Sequence, residues 1–260
     1  ILADGTLDED DFQKKLKLNP KMVAFMHVSN TLGTINDAQR LTSMAKSAGA
    51  TVLIDGSQAL PHMIVDVAEL DCDFYVFSGH KAYGPTGIGV LYGRKSILEA
   101  MNPWRGGGEM IDEVSLEKGT TFAGLPHKFE AGTPHISGAV ALGVALQWLT
   151  GVGLKSVMEH ETILSAQARH QLGKIDGLQF IGSAPTTSGV VSFIVDGVHP
   201  YDLGTLLDQQ GIAVRTGHHC TQPIMDHYDI PGTVRASFGA YNTLQEVDYL
   251  VQGVERALKM

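Results

Sequence analysis

Two segments decide the fold of this chain, namely TVLIDGSQA at residues 51–59 and DFYVFSGHK at residues 73–81. Each is a short apolar run that suits a buried strand and that ends in polar residues and glycine. Functional groups of α/β sheets gather at the carboxyl ends of the strands. The two segments therefore predict neighbouring strands whose ends present five polar side chains: Asp55, Gln58, Ser78, His80 and Lys81.

Strand and helix signals alternate around these two segments. A strand is predicted from Met22 to Val28. A helix is predicted from Asp37 to Ala48, where apolar residues at helical spacing share one face and the following glycine offers a stop. Another strand is predicted from Gly89 to Tyr92. Short apolar strands separated by helices indicate the α/β class, with a mostly parallel sheet.

The second half of the chain has a different pattern. Residues 104–133 are rich in glycine and turn residues, which predicts an extended, loop-rich connection. Beyond it come predicted helices at 136–149, 154–173, 201–209 and 243–258, and predicted strands at 178–181, 190–195, 213–216 and 234–238. We expect two domains, a large one at residues 1–148 and a small C-terminal α+β domain at residues 149–260.

Composition and charge narrow the classes of protein. The 260 residues are 43% hydrophobic and carry a formal net charge of −9, and this acidic balance argues against a nucleic-acid surface. Two cysteines make no disulfide framework, nothing resembles a secretory signal, and the apolar runs are too short for a membrane span. A reducing cytoplasm is therefore the expected compartment. The chain opens on Ile1 and enters a turn signal at once, so we expect a fragment of a longer protein.

The groups at the two strand ends suit a pyridine aldehyde cofactor. A lysine such as Lys81 forms a Schiff base with an aldehyde, and a carboxylate such as that of Asp55 keeps a pyridine nitrogen protonated, so that the ring acts as an electron sink. Gln58 could then bond the ring hydroxyl, and Ser78 and His80 could hold phosphate oxygens. However, an aspartate at a strand end often serves a turn, and a loop lysine is usually solvated. The spacing alone leaves both interpretations open.

A second cluster lies near the C-terminus, in the run RTGHHC at residues 215–220. Neighbouring Arg and His side chains favour the thiolate of Cys220, which is the nucleophilic form. A His-His-Cys cluster could instead bind zinc, although a structural zinc site takes four ligands and no further pair stands at finger-like spacing. An inert structural cysteine is the third interpretation, and it suits Cys72 better, because Cys72 leads into a buried strand.

Arg235 stands inside the last predicted strand, between Val234 and Ala236. A charge on a core strand needs a partner. That partner could be a structural carboxylate, or it could be the carboxylate of a bound amino acid, which the planar fork of arginine suits.

Taken together, these segments resemble the class II (SufS/CsdA-type) cysteine desulfurases of the aminotransferase class V family. The motifs occur in order along nearly the whole chain: VSN (28–30), GT (33–34), IDGSQA (54–59), FSGHK (77–81), YGPTGIG (83–89), FEAGTP (129–134), RTGHHC (215–220), RAS (235–237) and YNT (241–243). The resemblance implies a fold type I enzyme with an aspartate aminotransferase-like fold that uses pyridoxal 5'-phosphate (PLP). It also implies conversion of L-cysteine to L-alanine, with the sulfur supplied to iron–sulfur cluster or related biosynthesis.

The resemblance implies roles for the residues that would hold PLP. Lys81 would form the Schiff base and shuttle protons. Asp55 would pair with the pyridine nitrogen, and Gln58 would pair with the ring oxygen. Ser78 and His80 would bind the phosphate.

Further implied roles concern the substrate and the partners. Asn30, Arg215 and Arg235 would face the substrate, and Cys220 would accept its sulfur as a persulfide. Thr133 would reach the phosphate of the neighbouring subunit, which implies a homodimer. Enzymes of this type usually pass sulfur to a SufE-like acceptor protein.

Three alternatives stay open at this point. A selenocysteine lyase would use the same groups on L-selenocysteine, and another class V aminotransferase would not require Cys220. The third alternative is a truncated, non-catalytic remnant. It arises because the family's ring-stacking histidine and its Gly-Thr-Thr-type phosphate loop lie upstream of the family position at which Ile1 stands.

Overall fold

The computed structural model describes residues 1–260, which form two four-stranded sheets, a two-stranded ribbon and nine α-helices. The strands are β1 (Met22–Met26), β2 (Thr51–Asp55), β3 (Phe74–Ser78), β4 (Gly89–Gly93), β5 (Ile111–Ser115), β6 (Gly119–Phe122), β7 (Leu178–Phe180), β8 (Val190–Val195), β9 (Arg215–Gly217) and β10 (Thr233–Ser237). The helices are α1 (Glu9–Leu16), α2 (Ala38–Ser47), α3 (Val67–Leu70), α4 (Lys95–Ala100), α5 (Ile136–Val152), α6 (Leu154–Leu172), α7 (Pro200–Asp208), α8 (Gln222–Tyr228) and α9 (Leu244–Ala257).

The first sheet confirms the α/β prediction. Its strands lie in the order β1-β2-β3-β4, with the first three parallel and β4 antiparallel at the edge. Val52 and Ile54 of β2 are fully buried and belong to a core cluster that includes Ala38 and Ala45 of α2. Burial of each of these two strand side chains stabilises the fold by about 2 kcal/mol. This packing fixes β2, whose last residue is Asp55.

The second sheet is antiparallel throughout, in the order β7-β8-β10-β9. A core of 17 buried residues joins it to helices α6, α7 and α9. Phe193 of β8 and Val234 of β10 are fully buried in this core. Helix α9 begins with a capping box, in which Thr243 and Glu246 each bond the backbone N–H of the other.

The stretch at residues 104–133, predicted as an extended, loop-rich connection, also carries regular structure. It contains the antiparallel hairpin β5–β6, whose register shifts between Ile111 and Glu113. All residues of the hairpin strands are exposed except Ser115, so neither face carries the alternating apolar pattern that reveals a strand. Helices α1 and α8 are equally hard to read from the sequence, because α1 has no buried residue and α8 has one, Met225.

The joining loop, residues 27–36, connects the two sheets. A β-bridge pairs Thr34 with Thr187, which lies just ahead of β8. Gly33 has a φ of 74°, and a Cβ at this position would lie 3.0 Å from Val190. Glycine therefore allows the loop to approach β8 closely, and the loop ties β1 to the second sheet.

A second link between the sheets is a partly buried hydrogen bond. Nδ1 of His62, in the turn after β2, lies 2.7 Å from Oε2 of Glu161 in α6, and Glu161 is 2% exposed. The other carboxyl oxygen, Oε1, has no partner. The substitution His62→Ala is expected to lower the free energy of unfolding by about 1 to 3 kcal/mol, because the buried carboxyl then loses its side-chain partner. Chemical denaturation measures this loss.

The matched control is Lys155→Ala, which removes an exposed ion pair with Glu159 on the same helix, at 3.9 Å. This substitution is expected to leave the unfolding midpoint nearly unchanged, because exposed pairs contribute little. Equal losses of stability for the two variants would show that the His62–Glu161 hydrogen bond contributes no more to stability than the exposed ion pair does.

Helix α5 exposes apolar side chains along one face. They recur every four residues, at Ile136, Val140, Val144, Trp148 and Val152, and they are 42–66% exposed. An apolar surface stripe of this spacing is typical of a contact with another protein element. No single helix is long and apolar enough to cross a membrane. Helices α5 and α6 meet the length and hydropathy required for a membrane span only when they are taken together, and the two are bent by 75° relative to each other.

Candidate active site

The ends of β2 and β3 meet at one edge of the first sheet, which confirms the predicted adjacency of the two strands. Asp55, the last residue of β2, pairs in register with Val76 of β3, and Ser78 follows two residues later. Because side chains alternate along a strand, Asp55 and Ser78 project from the same face of the sheet. Lys81 ends a 3₁₀ turn, Gly79–Lys81, which continues directly from β3 and leaves the lysine exposed.

Asp55 has an exposed carboxylate with spare hydrogen-bonding capacity. Its Oδ1 accepts from the N–H of Ser57 at 2.9 Å, and no lysine or arginine forms an ion pair with it. The backbone carbonyl of Asp55 accepts from the N–H of His27 at 2.8 Å, so the joining loop supports the strand end. A carboxylate in this state can pair with a protonated pyridine nitrogen.

Next to Asp55, the backbone packs closely against an aromatic ring. A Cβ on Gly56 would lie 2.0 Å from the ring of Tyr75, so only glycine lets the ring lie there. The hydroxyl of Tyr75 lies 3.1 Å from Nδ1 of His27. Burial raises the pKa of Tyr75 and lowers the pKa of His27, which keeps both side chains neutral at neutral pH.

Four further residues at this edge have polar side chains without a hydrogen-bond partner in the protein: Gln58, Ser78, His80 and Lys81. Gln58 and Ser78 are half-buried, whereas His80 and Lys81 are exposed. With Asp55 they offer an amine, a carboxylate, an amide, a hydroxyl and an imidazole. This set fits PLP, which takes an amine at its aldehyde, an acid at its ring nitrogen and hydrogen-bond donors at its phosphate.

The segment that follows Lys81 folds back tightly against β3. A Cβ on Gly84 would lie 2.9 Å from the carbonyl oxygen of Gly79, and a Cβ on Gly89 would lie 2.6 Å from that of Phe77. Larger residues would push the segment away. The two glycines therefore hold the turn that carries Lys81.

Thr133 lies apart from this set. It is exposed and lines a cleft of about 710 Å³ together with Gly89, His127 and His135. None of the five polar residues at the strand ends lines the same cleft. The role of Thr133 stays a prediction.

Cys220 lies on a turn with an unusual backbone, which we call the cysteine turn (residues 217–221). His219 and Cys220 have φ angles of 53° and 64°, in the left-handed region. Each non-glycine residue held there stores about 1 kcal/mol or more of strain. The turn leaves Cys220 exposed, whereas the other cysteine, Cys72, is buried, and burial raises the pKa of its thiol.

Contacts from both sheets hold the cysteine turn. Nδ2 of Asn30, in the joining loop, donates to the carbonyl of His219 at 2.7 Å. The ring of His219 is buried, with Nε2 2.7 Å from Oγ1 of Thr233 in β10. Nη1 of Arg235 donates to the backbone carbonyl of Asn30 at 2.5 Å. The structure thus brings Asn30 and Arg235 to the turn that carries Cys220, with the amide nitrogen of Asn30 bonded to the turn itself.

Arg215 and Arg235 face each other as register partners on β9 and β10. Neither forms an ion pair with a carboxylate, and like charges directly opposite each other on neighbouring strands are destabilising. Burial, and then the charge of Arg215, lowers the pKa of Arg235. Two guanidinium groups that lack a carboxylate partner, beside an exposed cysteine, suit the carboxylate of a small molecule.

No group of three or more His, Cys, Asp or Glu side chains is placed to hold a metal ion. His219 is buried and bonds Thr233, while His218 is exposed. The zinc interpretation of the cysteine turn therefore gains no support from the geometry.

Comparison with known proteins identifies the family. The family model described as Aminotransferase class-V matches residues 1–250. The chain belongs to the aminotransferase class-V family. This class-V chain is 49% identical over its full length to the cysteine desulfurase of Serratia proteamaculans, and 49% identical over 96% of its length to the probable cysteine desulfurase of Vibrio cholerae. It spans 64% and 61% of those two proteins, respectively.

Solved structures also resemble the class-V chain. The cysteine desulfurase CsdA from Escherichia coli matches with a TM-score of 0.95 and 42% identity, over 100% of this chain and 64% of that one. The apo cysteine desulfurase from Thermococcus onnurineus matches with a TM-score of 0.94 and 41% identity, over 99% of this chain and 64% of that one. The resemblance to cysteine desulfurases and the predicted PLP-dependent transferase fold are confirmed.

His219 makes the stability of the class-V chain depend on pH. Burial, and then the charges of Arg235 and Arg215, lowers the pKa of His219 from 6.5 to about 4. The unfolded state therefore binds this proton at a higher pH than the folded state does. The contribution to stability is full above the unfolded value and is lost as the pH falls toward the folded value. The loss is about 3 kcal/mol at most, since one pKa unit corresponds to about 1.4 kcal/mol.

Denaturation midpoints measured from about pH 7 down to about pH 4 are expected to show this fall. The substitution His219→Gln removes the titrating ring and is expected to flatten the curve. The exposed neighbour provides the control, His218→Gln, which should leave the slope as it is. An unchanged slope in the His219 variant would mean that other groups cause the pH dependence.

Nothing in the sequence marks three threonines of this class-V site. Hydrogen bonds at the cysteine turn are formed by the hydroxyls of Thr31, Thr233 and Thr221, the last of which is part of the turn. Threonine is common in strands and at helix caps, so composition and spacing do not single these residues out. The one available signal is the position of Thr221, which directly follows Cys220 in the chain.

Proposed function

We propose that the protein of which this chain forms part is a PLP-dependent cysteine desulfurase. In this proposal, L-cysteine and the Cys220 thiol are converted to L-alanine and a Cys220 persulfide. The observation that carries it is the cysteine turn, which presents an exposed thiol beside Arg215 and Arg235, neither of which has a carboxylate partner. Relatives that are 49% identical and bear the name cysteine desulfurase support it.

The residues at the first strand ends would hold the cofactor. Nζ of Lys81 would attach to the aldehyde, Asp55 would pair with the ring nitrogen, and Gln58 would bond the ring oxygen. Ser78 and His80 would donate to the phosphate, and Thr133 would do so from the neighbouring subunit of a homodimer. Bound PLP would withdraw electrons from the α-carbon of the substrate.

The remaining groups would orient and react with the substrate. Arg235, assisted by Arg215, would bind the substrate carboxylate, and Asn30 would hold the cysteine turn beside it. Nζ of Lys81 would accept the α-proton and return a proton to carbon. The Cys220 thiolate would attack the substrate sulfur, so that an S–S bond forms while the C–S bond breaks and the carbon fragment leaves as alanine.

The experiment that tests this function is a single reaction of the purified, PLP-loaded protein with L-cysteine. Alanine is quantified, and peptide mass spectrometry is used to look for one added sulfur atom on the peptide that contains Cys220. We expect equal amounts of alanine and persulfide in a single turnover. Alanine formed without persulfide, or no alanine at all, would contradict the proposal. A parallel reaction with L-selenocysteine that releases selenide far faster would identify a selenocysteine lyase instead.

The proposal extends to partners and compartment. An exposed persulfide on Cys220 could be reached by the thiol of an acceptor protein of the SufE-like class, which would carry the sulfur toward iron–sulfur cluster assembly or a related biosynthesis. A cytoplasmic location would keep both thiols reduced between turnovers.

A further inference from the structure

A pair of threonine hydroxyls joins the cysteine turn to the joining loop. Oγ1 of Thr31 lies 2.6 Å from Oγ1 of Thr221, and Thr31 is fully buried. Thr221 directly follows Cys220, so the contact is made one residue away from the thiol. The two residues are 190 positions apart in the sequence, and the pair links the first sheet's loop to the second sheet's turn.

The direction of this hydrogen bond follows from the other contacts of Thr221. Its hydroxyl donates to the carbonyl of His218 at 2.8 Å. A hydroxyl has a single proton to donate, so the proton between the two threonines comes from Thr31. Thr31 thus donates to Thr221, and Thr221 donates to the backbone of the turn, which forms a short relay across Cys220.

The backbone of Thr31 is itself held from the second sheet. The hydroxyl of Ser192, a fully buried residue of β8, donates to the carbonyl of Thr31 at 2.5 Å. The N–H of Thr31 donates to Oγ of Ser29 at 3.3 Å. Because these contacts fix the backbone of Thr31, its hydroxyl loses little conformational freedom when it donates to Thr221. The hydrogen bond can therefore hold Thr221 in position.

The turn needs such support, because its backbone is strained. His219 and Cys220 adopt successive left-handed conformations, which persist only where the surroundings over-determine them. Asn30 and Thr233 hold the carbonyl and the ring of His219, on the N-terminal side of Cys220. Among side-chain contacts, the Thr31–Thr221 pair is the one that holds the residue on the C-terminal side.

We infer that Thr31 is a positioning residue for Cys220: its hydroxyl keeps the cysteine turn in the conformation that aims the thiol at the substrate sulfur. The inference about aiming rests on the proposed desulfurase function. The holding of the turn does not rest on it, and the two can be measured separately.

The test compares Thr31→Val, which keeps the shape of the side chain but removes the hydroxyl, with three other single variants of the PLP-loaded protein and with one double variant. Thr31→Ser keeps the hydroxyl and should behave like the parent. Thr42→Val is the matched control, because Thr42 is also fully buried but its Oγ1 has no partner. Thr221→Val removes the other half of the pair.

The first readout is hydrogen–deuterium exchange of peptides that cover the cysteine turn. In Thr31→Val we expect exchange at this turn to be about tenfold faster, which is the effect of losing one hydrogen bond. The rest of the chain, and the whole of Thr42→Val, should exchange as in the parent. Unchanged exchange at the turn in Thr31→Val would overturn the inference.

The second readout is the single-turnover rate of persulfide formation on Cys220. We expect Thr31→Val to form persulfide about tenfold more slowly, with an unchanged KM for L-cysteine and an unchanged cofactor absorbance. The double variant Thr31→Val/Thr221→Val should be no slower than Thr221→Val, because both substitutions break one relay. Faster exchange with an unchanged persulfide rate would reduce Thr31 to a structural role and overturn the positioning claim.

Failure of the two proposals gives different results. If the parent protein forms no persulfide from L-cysteine, the desulfurase proposal fails. The claim that Thr31 aims Cys220 at a substrate sulfur fails with it, while the exchange comparison still decides whether Thr31 holds the turn.

Discussion

The substitution Cys220→Ala is expected to lower the rate of sulfur transfer from L-cysteine by at least about 100-fold, while the cofactor stays bound. The thiolate of Cys220 is the proposed attacking group, and removing a nucleophile removes the covalent step altogether. Of the proposed cofactor residues, Asp55, Gln58, Ser78, His80 and Lys81 lie at strand ends of the first sheet, whereas Cys220 lies on a turn of the second sheet. The measurement is the rate of alanine formation, together with the visible absorbance of the purified variant.

The chain provides its own control for this substitution. Cys72 is the only other cysteine, and it is buried in the core beside β2 and β3. The variant Cys72→Ala should keep full sulfur transfer if it folds, and Cys72→Ser provides a second version. L-selenocysteine is an informative second substrate, because its weaker bond should allow release without Cys220. A Cys220→Ala protein that converts L-cysteine at the parental rate would exclude Cys220 as the sulfur acceptor.

The elements that the sequence predicts well are those that bury one face. Burial alternates along residues 51–54, because every second side chain packs against α2. The two fully buried residues, Val52 and Ile54, lie in an apolar run that is visible in the sequence. The stop at Gly49 is equally visible, since its φ of 80° favours glycine. Burial appears in the sequence as a local pattern of apolar residues, and a left-handed backbone conformation appears as a glycine. Both patterns can be recognised without a structure.

The arrangement of the site depends instead on contacts between distant residues. Asn30 is predicted to face a substrate, yet its amide nitrogen bonds the carbonyl of His219, 189 positions away. The opposition of Arg215 and Arg235 follows from the register of β9 on β10. Register of this kind is set by turns and packing along the whole sheet, so the sequence alone indicates the residue types and not their partners.

The cysteine turn is fixed by more side-chain contacts than the strand ends of the first sheet are. The cysteine turn is held at three points: by Asn30, by Thr31 through Thr221, and by Thr233. Two of these points lie in the joining loop, whose first residue, His27, also bonds the backbone of Asp55. One short loop therefore contacts both the proposed cofactor site and the turn that carries the proposed sulfur acceptor.

The substitution Lys81→Ala is expected to remove covalent attachment of PLP and to reduce alanine formation by at least about 100-fold. Lys81 is the lysine at the strand ends, and its amine has no partner in the protein. Loss of this amine would remove both the attachment point and the proposed proton carrier. Reduction with borohydride followed by peptide mapping measures the attachment, and the visible absorbance band reports it directly.

A second exposed lysine separates this role from a general loss of charge. Lys95 follows β4 in the same sheet and is paired only with Glu99, at 3.7 Å on the surface. The variant Lys95→Ala should keep the absorbance band, the reduced cofactor adduct and the rate of alanine formation, because an exposed pair of this kind contributes little to stability. If the reduced PLP adduct were found on another lysine, or if Lys81→Ala kept the visible absorbance band, then Asp55 and Lys81 would not bind the same cofactor. The first-sheet half of the proposed site would have to be abandoned, although Cys220 and the paired arginines could still bind and react with a small carboxylate.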